Sequence, residues 1–401
     1  MYDVIIVGAG ASGILTSIIL GRKGLSTVVL DRMDKPCKKI YATGNGKCNF
    51  TNMDMSCKYY YSDGDVPYNI ISQFNNNDVI HYFEGCKILS YEREGYVYPA
   101  SRQASAVAIQ LVETAIGTGN VKIKTECNVK AIDKTDEGFV VTYEEKNSQK
   151  KYDRKMIKGL KVVIATGGKS GDRLGSDGSG YYFASRLGHN IIKPLPGLVH
   201  LKCQEEFKEI AGVRVIADVT LYEENNGQKN ILGRQYGEII FNEDNVSGIP
   251  VFQLSLIAVR MLDEDKKVYL SIDFAHEFNK ESVEEFVKDK KEYSNSLRGI
   301  IPEKLAVYFQ KKYSNEKKIV DAIKGWKLRL TGYGDFNKSQ VSTGGVDITQ
   351  IDAHTMESKL VGGLYMTGEV LDVAGICGGY NLQWAWSSAY AAAKHISSSL
   401  S

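Results

Sequence analysis

Apolar runs separated by glycine set the rhythm at both ends of the chain. Val4–Val7, "VIIV", is continuously apolar and β-branched, the pattern of a parallel strand buried on both faces. A glycine turn, an apolar helix and a second such strand, Thr27–Leu30, complete a βαβ beginning. The pattern returns at Val162–Ala165 and, more briefly, at Leu364–Met366. Asn128–Asp133, "NVKAID", and Gly138–Tyr143, "GFVVTY", read as strands of a small β-meander.

Between roughly Asn190 and Gln340 the texture changes, with Pro194 and Pro196 marking the start. "GLVHLKC", "RVIADVTLYEE" and "QYGEIIFNED" alternate as strands do, with a turn at Glu224–Gly227. "PVFQLSLIAVRML" and "KVYLSIDF" follow. Then "SVEEFVKDKKEY", "PEKLAVYFQKKY" and "NEKKIVDAIKGW" carry apolar residues at helical spacing. Ser282 and Asn315 are expected N-caps, and Pro302 suits a first turn. Small residues and glycine resume at "QVSTGGVDI", so the chain is expected to return there to its first domain. The expected divisions are 1–189, an inserted 190–340 of β unit then helical unit, and 341–401.

The first turn is G-x-G-x-x-G: Gly8, Gly10 and Gly13, with Ala11 and Ser12 opening the helix. Gly8 permits the tight turn, Gly10 lets a pyrophosphate approach the backbone, and Gly13 lets helix and strand pack closely. The free N–H groups and dipole of the helix start favour phosphate. Asp31 ends the second strand, 18 residues past Gly13, where a carboxylate meets ribose hydroxyls. An acid there disfavours a 2′-phosphorylated dinucleotide but does not separate NAD from FAD.

Two further loops suit an extended cofactor. "KKIYATGNGKCNFTN", Lys38–Asn52, is small and polar, with many free backbone donors and Lys47 available for phosphate. "KVVIATGGKSG" ends its strand in Ala165, Thr166 and Gly167. Its "GGKS" mimics a P-loop tail, but the required first glycine falls on Val163, so a nucleoside triphosphatase is excluded. Val129 is placed to pack on an adenine, though a buried apolar strand residue is the default reading.

Composition narrows the rest. The chain has 401 residues, 43% of them hydrophobic, enough for more than one core. A net charge of +2 argues against a nucleic-acid surface. The local cluster Lys150, Lys151, Arg154, Lys155, Lys158 and Lys161 reads as a solvated face. Cys37, Cys48, Cys57, Cys86, Cys127, Cys203 and Cys377 include no C-x-x-C pair, and the histidines lack H-x-x-x-H spacing. Neither a disulfide framework nor a metal site is expected, and the thiols fit a reducing cytoplasm. Val4–Leu20 lacks the charged flank of a signal peptide and has too many glycines for a membrane helix.

Gly8-x-Gly10-x-x-Gly13, Asp31, "TGNGKCNFTN", "ATGG", "STGGV" and "GEVLDVAGICGGYNLQWAWSS" together resemble the BaiN-like flavoproteins, also called the aminoacetone oxidase family of FAD-binding enzymes. The resemblance spans nearly the whole chain. The family loop reads S-G-G-G-R-C-N, whereas this chain has Asn45 and Lys47 in place of glycine and arginine, a point charge for a bidentate one. The resemblance implies an α/β fold: a Rossmann-like FAD domain, a parallel sheet with a β-meander, built from both chain ends around the inserted domain.

Gly368, Glu369 and Asp372 then resemble a second FAD signature near the ribityl chain. Gly379, Tyr380, Asn381 and Leu382 would open a helix facing the flavin, whose dipole stabilises the reduced, negative ring. Arg32, Lys39, Thr43, Gly44, Gly46, Cys48 and Asn49 join the implied cofactor-binding set. Tyr380 is the candidate proton donor. Cys48 and Cys377 lie in the same loops, where an inert packed thiol is the simpler reading.

The implied reaction moves a hydride between flavin N5 and a small organic substrate. One direction reduces an unsaturated steroid or bile-acid-like intermediate with NAD(P)H as transient donor. The other oxidises an aminoacetone-type amine with oxygen. An FAD-stabilised binding or regulatory protein, and an RNA-modifying flavoprotein, are the readings from other classes. The expected partner is a small molecule, with neither nucleic acid nor membrane.

Overall fold

A computed structural model describes residues 1–146, 151–225, 227–288 and 293–401. Lys150 of the basic cluster, position 226 of the expected turn and positions 289–292 of the first expected helix lie outside the described residues. The chain divides into two compact units, Met1–Pro194 with Val341–Ser401, and Leu195–Gln340.

The first unit is an α/β layer structure on a seven-stranded sheet. Strand β1 (Tyr2–Val7) lies at its centre, parallel to β2 (Thr27–Leu30) on one side and to the end of Tyr152–Ile164 on the other. Val121–Lys124 extends the sheet beyond β2. The strand Tyr152–Ile164 belongs to two neighbourhoods. Its first half pairs antiparallel with Gly138–Lys146, and that strand pairs with Cys127–Thr135 to make the meander. Its last residues, Val162–Ile164, pair parallel with Leu364–Met366. The C-terminal segment is thereby hydrogen-bonded into a sheet begun by the N-terminus.

The strand expected at Val162–Ala165 is thus far longer. Its added residues, from Tyr152 to Lys158, are mostly charged or exposed, so no apolar run announces them. Antiparallel pairing and the ion pair Lys155–Glu145, at 2.5 Å, accompany the extension.

Helix α1 (Ala11–Arg22) is buried from Ser12 to Gly21, as suits a helix enclosed on all sides. It packs against the C-terminal helix Tyr380–Leu400, whose Ala389, Ala391, Ala392 and Ala393 permit close approach. Phe50, Phe83 and Trp386 fill the space beyond, with Phe83 edge-on to Trp386 at 5.2 Å.

The second unit is a closed barrel of Leu201–Cys203, Asn245–Ser247, Gln228–Phe241, Arg214–Asn225, Val268–Asp273 and Trp326–Tyr333. Its aromatic core centres on Trp326, with Phe309 edge-on at 5.0 Å and Phe241 at 5.5 Å. Asn315 caps Glu316–Gly325, its side chain accepting from Lys318 N. The cap of Lys280–Val287 is Asn279, not Ser282: Asn279 is extended and its Oδ1 accepts from Ser282 N at 2.7 Å. Ser282 lies inside the first turn as the donor.

Candidate FAD site

The G-x-G-x-x-G turn has the backbone its sequence requires. Gly8 sits at φ +103°, and a Cβ there would lie 2.8 Å from the Ala165 carbonyl carbon. A Cβ at Gly13 would strike the Gly8 carbonyl and lie 3.2 Å from Ala165 Cβ. Gly10 is different: it has ordinary extended angles, and a Cβ there meets nothing within 4 Å. The space beside Gly10 is therefore not filled by protein. It lies at the start of α1, where the N–H groups of Ala11, Ser12 and Gly13 have no helical acceptor. A phosphate-sized anion is the natural occupant.

Asp31 lies at the end of β2. Its Oδ2 accepts from Ala9 N at 2.6 Å and its Oδ1 from Met33 N at 2.8 Å, leaving lone pairs for hydroxyl donors. Burial raises its pKa, against the lowering effect of those two N–H groups. Arg32 turns to Asp172, at 3.0 Å, and to Asp177, tying β2 to the loop after Gly171. Cys127 N donates to Asp31 O, so buried Val129 stands two residues along from the same strand end.

The C-terminal segment supplies the second half. Gly368 has φ +73°, its N–H donates to Ser388 Oγ at 2.9 Å, and its carbonyl accepts from Trp384 Nε1 at 3.1 Å. The next residue, Glu369, accepts from Lys39 Nζ at 2.6 Å and from Ser342 N at 2.8 Å. Asp372 is buried and accepts from Gly344 N at 2.9 Å. Ser342 Oγ accepts from Lys169 N at 2.8 Å and Ser170 N at 3.1 Å. One serine so joins the loop that follows Ala165, Thr166 and Gly167 to the Glu369 loop. It was not singled out from sequence; its only signal was the small-residue texture of "VSTGG".

The loop Thr43–Asn49 and the start of the C-terminal helix form a third part. Gly44, Asn45, Gly46 and Cys48 all have positive φ, and Thr43 Oγ1 donates to Ile40 O at 2.6 Å. Gly379, at φ +94°, has no room for a Cβ, which would lie 2.7 Å from the Thr51 carbonyl carbon and 3.0 Å from Asn49 Oδ1. Asn381 closes on Gly375, with Nδ2 donating to its carbonyl at 2.7 Å and Oδ1 accepting its N–H at 2.9 Å. Leu382 packs on the apolar core. Burial pushes the Cys48 thiol up to about 12 and the Cys377 thiol up to about 12, so both stay protonated and inert.

Tyr380, the candidate proton donor, is held by its surroundings. Its hydroxyl donates to the Asp54 carbonyl at 2.9 Å, its ring lies 4.9 Å from Tyr59, and burial raises its pKa. The geometry gives it a packing role at the helix start rather than a free proton.

These parts fit an FAD molecule on two counts. The cradle at Gly10 is open where a side chain would close it. Asn49 Oδ1 and Thr367 Oγ1 are buried without a hydrogen-bond partner among the described residues, in the two loops that would border the cofactor. No group of side chains suited to a metal ion occurs among the described residues.

A Rossmann-like sheet fed by both chain ends, with an open cradle at Gly10 and acids at Asp31, Glu369 and Asp372, is that of an FAD-dependent oxidoreductase. The chain belongs to the HI0933-like protein Rossmann domain family, which it matches over residues 2–395. It is 35% identical to the 3-dehydro-bile acid delta(4,6)-reductase of Clostridium scindens, with 98% of each chain covered. It is 28% identical to the ribosomal RNA dihydrouridine synthases of Escherichia coli and of Haemophilus influenzae, again over 98% of each. A solved quinol-fumarate reductase with bound menaquinol shares the fold at TM-score 0.53 and 14% identity, covering 99% of this chain and 71% of that one.

Proposed function

We propose that this flavoenzyme reduces a carbon–carbon double bond conjugated with a carbonyl, in a small polycyclic ketone of the bile-acid or steroid kind. NAD(P)H is the transient electron donor, the setting is the cytoplasm, and no nucleic acid or membrane takes part. The observation that carries this reading is the full-length 35% identity to a bile-acid delta(4,6)-reductase. Read as chemistry, the names of the 28% relatives describe a kindred step, because uracil also carries a C=C bond conjugated with a carbonyl. An RNA substrate is accordingly the second reading; the near-neutral net charge of +2 favours the small molecule.

Bound FAD supplies the hydride chemistry, and the protein supplies position and electrostatics. The cradle from Gly8 to Gly13 holds the pyrophosphate, Asp31 and Val129 hold the adenosine end, and Lys39, Glu369 and Asp372 hold the middle of the cofactor. Thr43–Asn49 and Gly379–Leu382 border the ring. The helix start at Tyr380 directs N–H groups and its dipole toward negative charge there.

The test is anaerobic mixing of holoenzyme with NADH or NADPH, followed by a ring-A enone steroid or uridine-containing RNA. Bleaching of the visible flavin band by a nicotinamide, and its return with the steroid, supports the proposal. Return with RNA alone transfers it to the second reading. Bleaching only by amines, with reoxidation by oxygen, sinks both.

A further inference from the structure

We propose that Tyr96 is the proton donor of this site, delivering its phenolic proton to the α-carbon of a conjugated carbonyl substrate as hydride reaches the β-carbon. The inference rests on the enone-reduction reading above. It begins from the register of a small hairpin. Ser90–Arg93 pairs with Tyr96–Pro99, and the latter pairs with Thr51–Asn52, setting Asn52 opposite Tyr96 and Thr51 opposite Val97. The strand carrying Tyr96 is therefore hydrogen-bonded to the residues that directly follow the loop Thr43–Asn49.

Tyr96 and Tyr98, two residues apart, share one face of the strand, while buried Val97 takes the other. That face meets both ring-bordering loops. Tyr96 Cε1 is 3.0 Å from the point where a Cβ on Gly378 would sit, and Tyr98 Cε1 is 3.9 Å from the same point on Gly44. Tyr91 stacks on Tyr98 at 5.7 Å, with the Arg102 guanidinium 5.0 Å from the Tyr91 ring centre, which steadies the hairpin.

The neighbouring acids are already engaged. Tyr380 donates to Asp54 O, Tyr59 to the Asp54 carboxylate, and Tyr60 to Tyr380 O at 3.0 Å. Asn52 Nδ2 donates to Gly378 O at 3.0 Å. The thiols of Cys48 and Cys377 are held protonated by burial. No histidine occurs in 43–61, 88–103 or 367–381. Tyr96 and Tyr98 are only half-buried, and neither hydroxyl has a hydrogen-bond partner among the described residues. Of the two, Tyr98 lies behind the Tyr91 stack, and burial raises its pKa. Tyr96 is the phenol that abuts the glycines at the helix start.

The step balances. The β-carbon gains a hydride from the reduced cofactor, which loses two electrons. The C=C π pair moves onto the α-carbon and carbonyl. The O–H bond of Tyr96 breaks as the α-carbon–hydrogen bond forms, and water at the half-exposed ring returns a proton to the phenolate. Positioned general acids of this kind contribute about 10²–10⁴ in rate.

Tyr96→Phe keeps the ring and removes the acid. The holoenzyme is reduced anaerobically with dithionite and mixed with a ring-A enone steroid. Reoxidation is expected to slow by about 10²–10⁴. In D₂O the product loses the single-face α-deuterium that wild type installs. FAD content, and enone affinity read from the flavin band shift of the oxidised protein, stay within about threefold, since only the acid has gone. Reoxidation within about threefold of wild type, or a slowing matched by an equal loss of enone affinity, overturns the assignment. If reduced wild type is not reoxidised by the enone, the enone-reduction reading itself falls and takes this inference with it. That result appears before any variant is made.

Discussion

Two alanine substitutions in one turn, Gly10→Ala and Gly13→Ala, should separate the cost of folding from the cost of binding. At Gly10 the backbone has φ −75° and ψ −166°, open to any residue, and a Cβ meets nothing within 4 Å. Losing glycine at an N-cap costs about 0.5–1 kcal/mol. Restricting the unfolded chain returns about 0.4–1 kcal/mol. The apo-protein should therefore melt within about 2–4 °C of wild type.

At Gly13 the new Cβ strikes the Gly8 carbonyl and comes within 3.2 Å of Ala165 Cβ. Overpacking against rigid backbone costs about 3 kcal/mol, and the better helix propensity of alanine returns about 1. The net loss of about 2 kcal/mol lowers the apo melting temperature by about 4–8 °C. Binding reverses the order of interest. With the pyrophosphate placed as proposed, the Gly10 methyl stands in its path, and each charge-assisted N–H bond lost costs about 1.5–3 kcal/mol, or about 10–100-fold in affinity. Thermal melts of stripped protein and flavin fluorescence titration read the two effects. Wild-type FAD affinity in Gly10→Ala, or an apo melt below that of Gly13→Ala, would refute the cradle.

Three further outcomes follow from the site. Lys39→Met leaves Glu369, whose side chain is 18% exposed, without its cation; about 1–2 kcal/mol of stability and about tenfold in FAD affinity should be lost, with Lys39→Arg restoring part. Unchanged melting and unchanged FAD titration would remove this pair from the site. Alkylation at pH 8 followed by mass spectrometry should mark exposed Cys57 first, since burial keeps Cys48 and Cys377 protonated until about 12; early labelling of either loop thiol would contradict their packing. Burial raises the Asp177 carboxyl, but hydrogen bonds from Ser179 and the charge of Arg32 outweigh it and hold the pKa below the usual range. Its contribution is therefore complete above the unfolded value and is lost as pH falls through the lower folded one. Asp177→Asn should unfold less steeply in acid, and an unaltered acid limb in denaturation curves would refute the pairing.

The turn from Gly8 to Gly13, the acid at Asp31, the strand at Leu364–Met366 and the helix after Gly379 were legible because each is local. A buried strand, a positive φ or a helix start leaves its mark within a few residues. The half-strand Tyr152–Lys158 was not, because charged residues on a paired, exposed strand carry no apolar period. Asn279 went unseen as a cap because Ser282, also a good capping type, stands three residues on.

By itself the chain's order of residues determined an α/β frame, a glycine turn of the dinucleotide-cradle pattern and the glycine-rich loops proposed to border the flavin. Only the tertiary structure decided which side chains in those loops are free. Lys39 reaches Glu369 across 330 residues, and Ser342 joins two loops 172 or more residues from Lys169 and Ser170 to itself. The Tyr380 hydroxyl donates to Asp54 O, while the Tyr96 hydroxyl has no hydrogen-bond partner among the described residues. Such facts depend on sheet register and on which donors meet which acceptors after packing. A one-residue change of register would turn Tyr96 to the other face of its strand. No local pattern in the sequence encodes that choice.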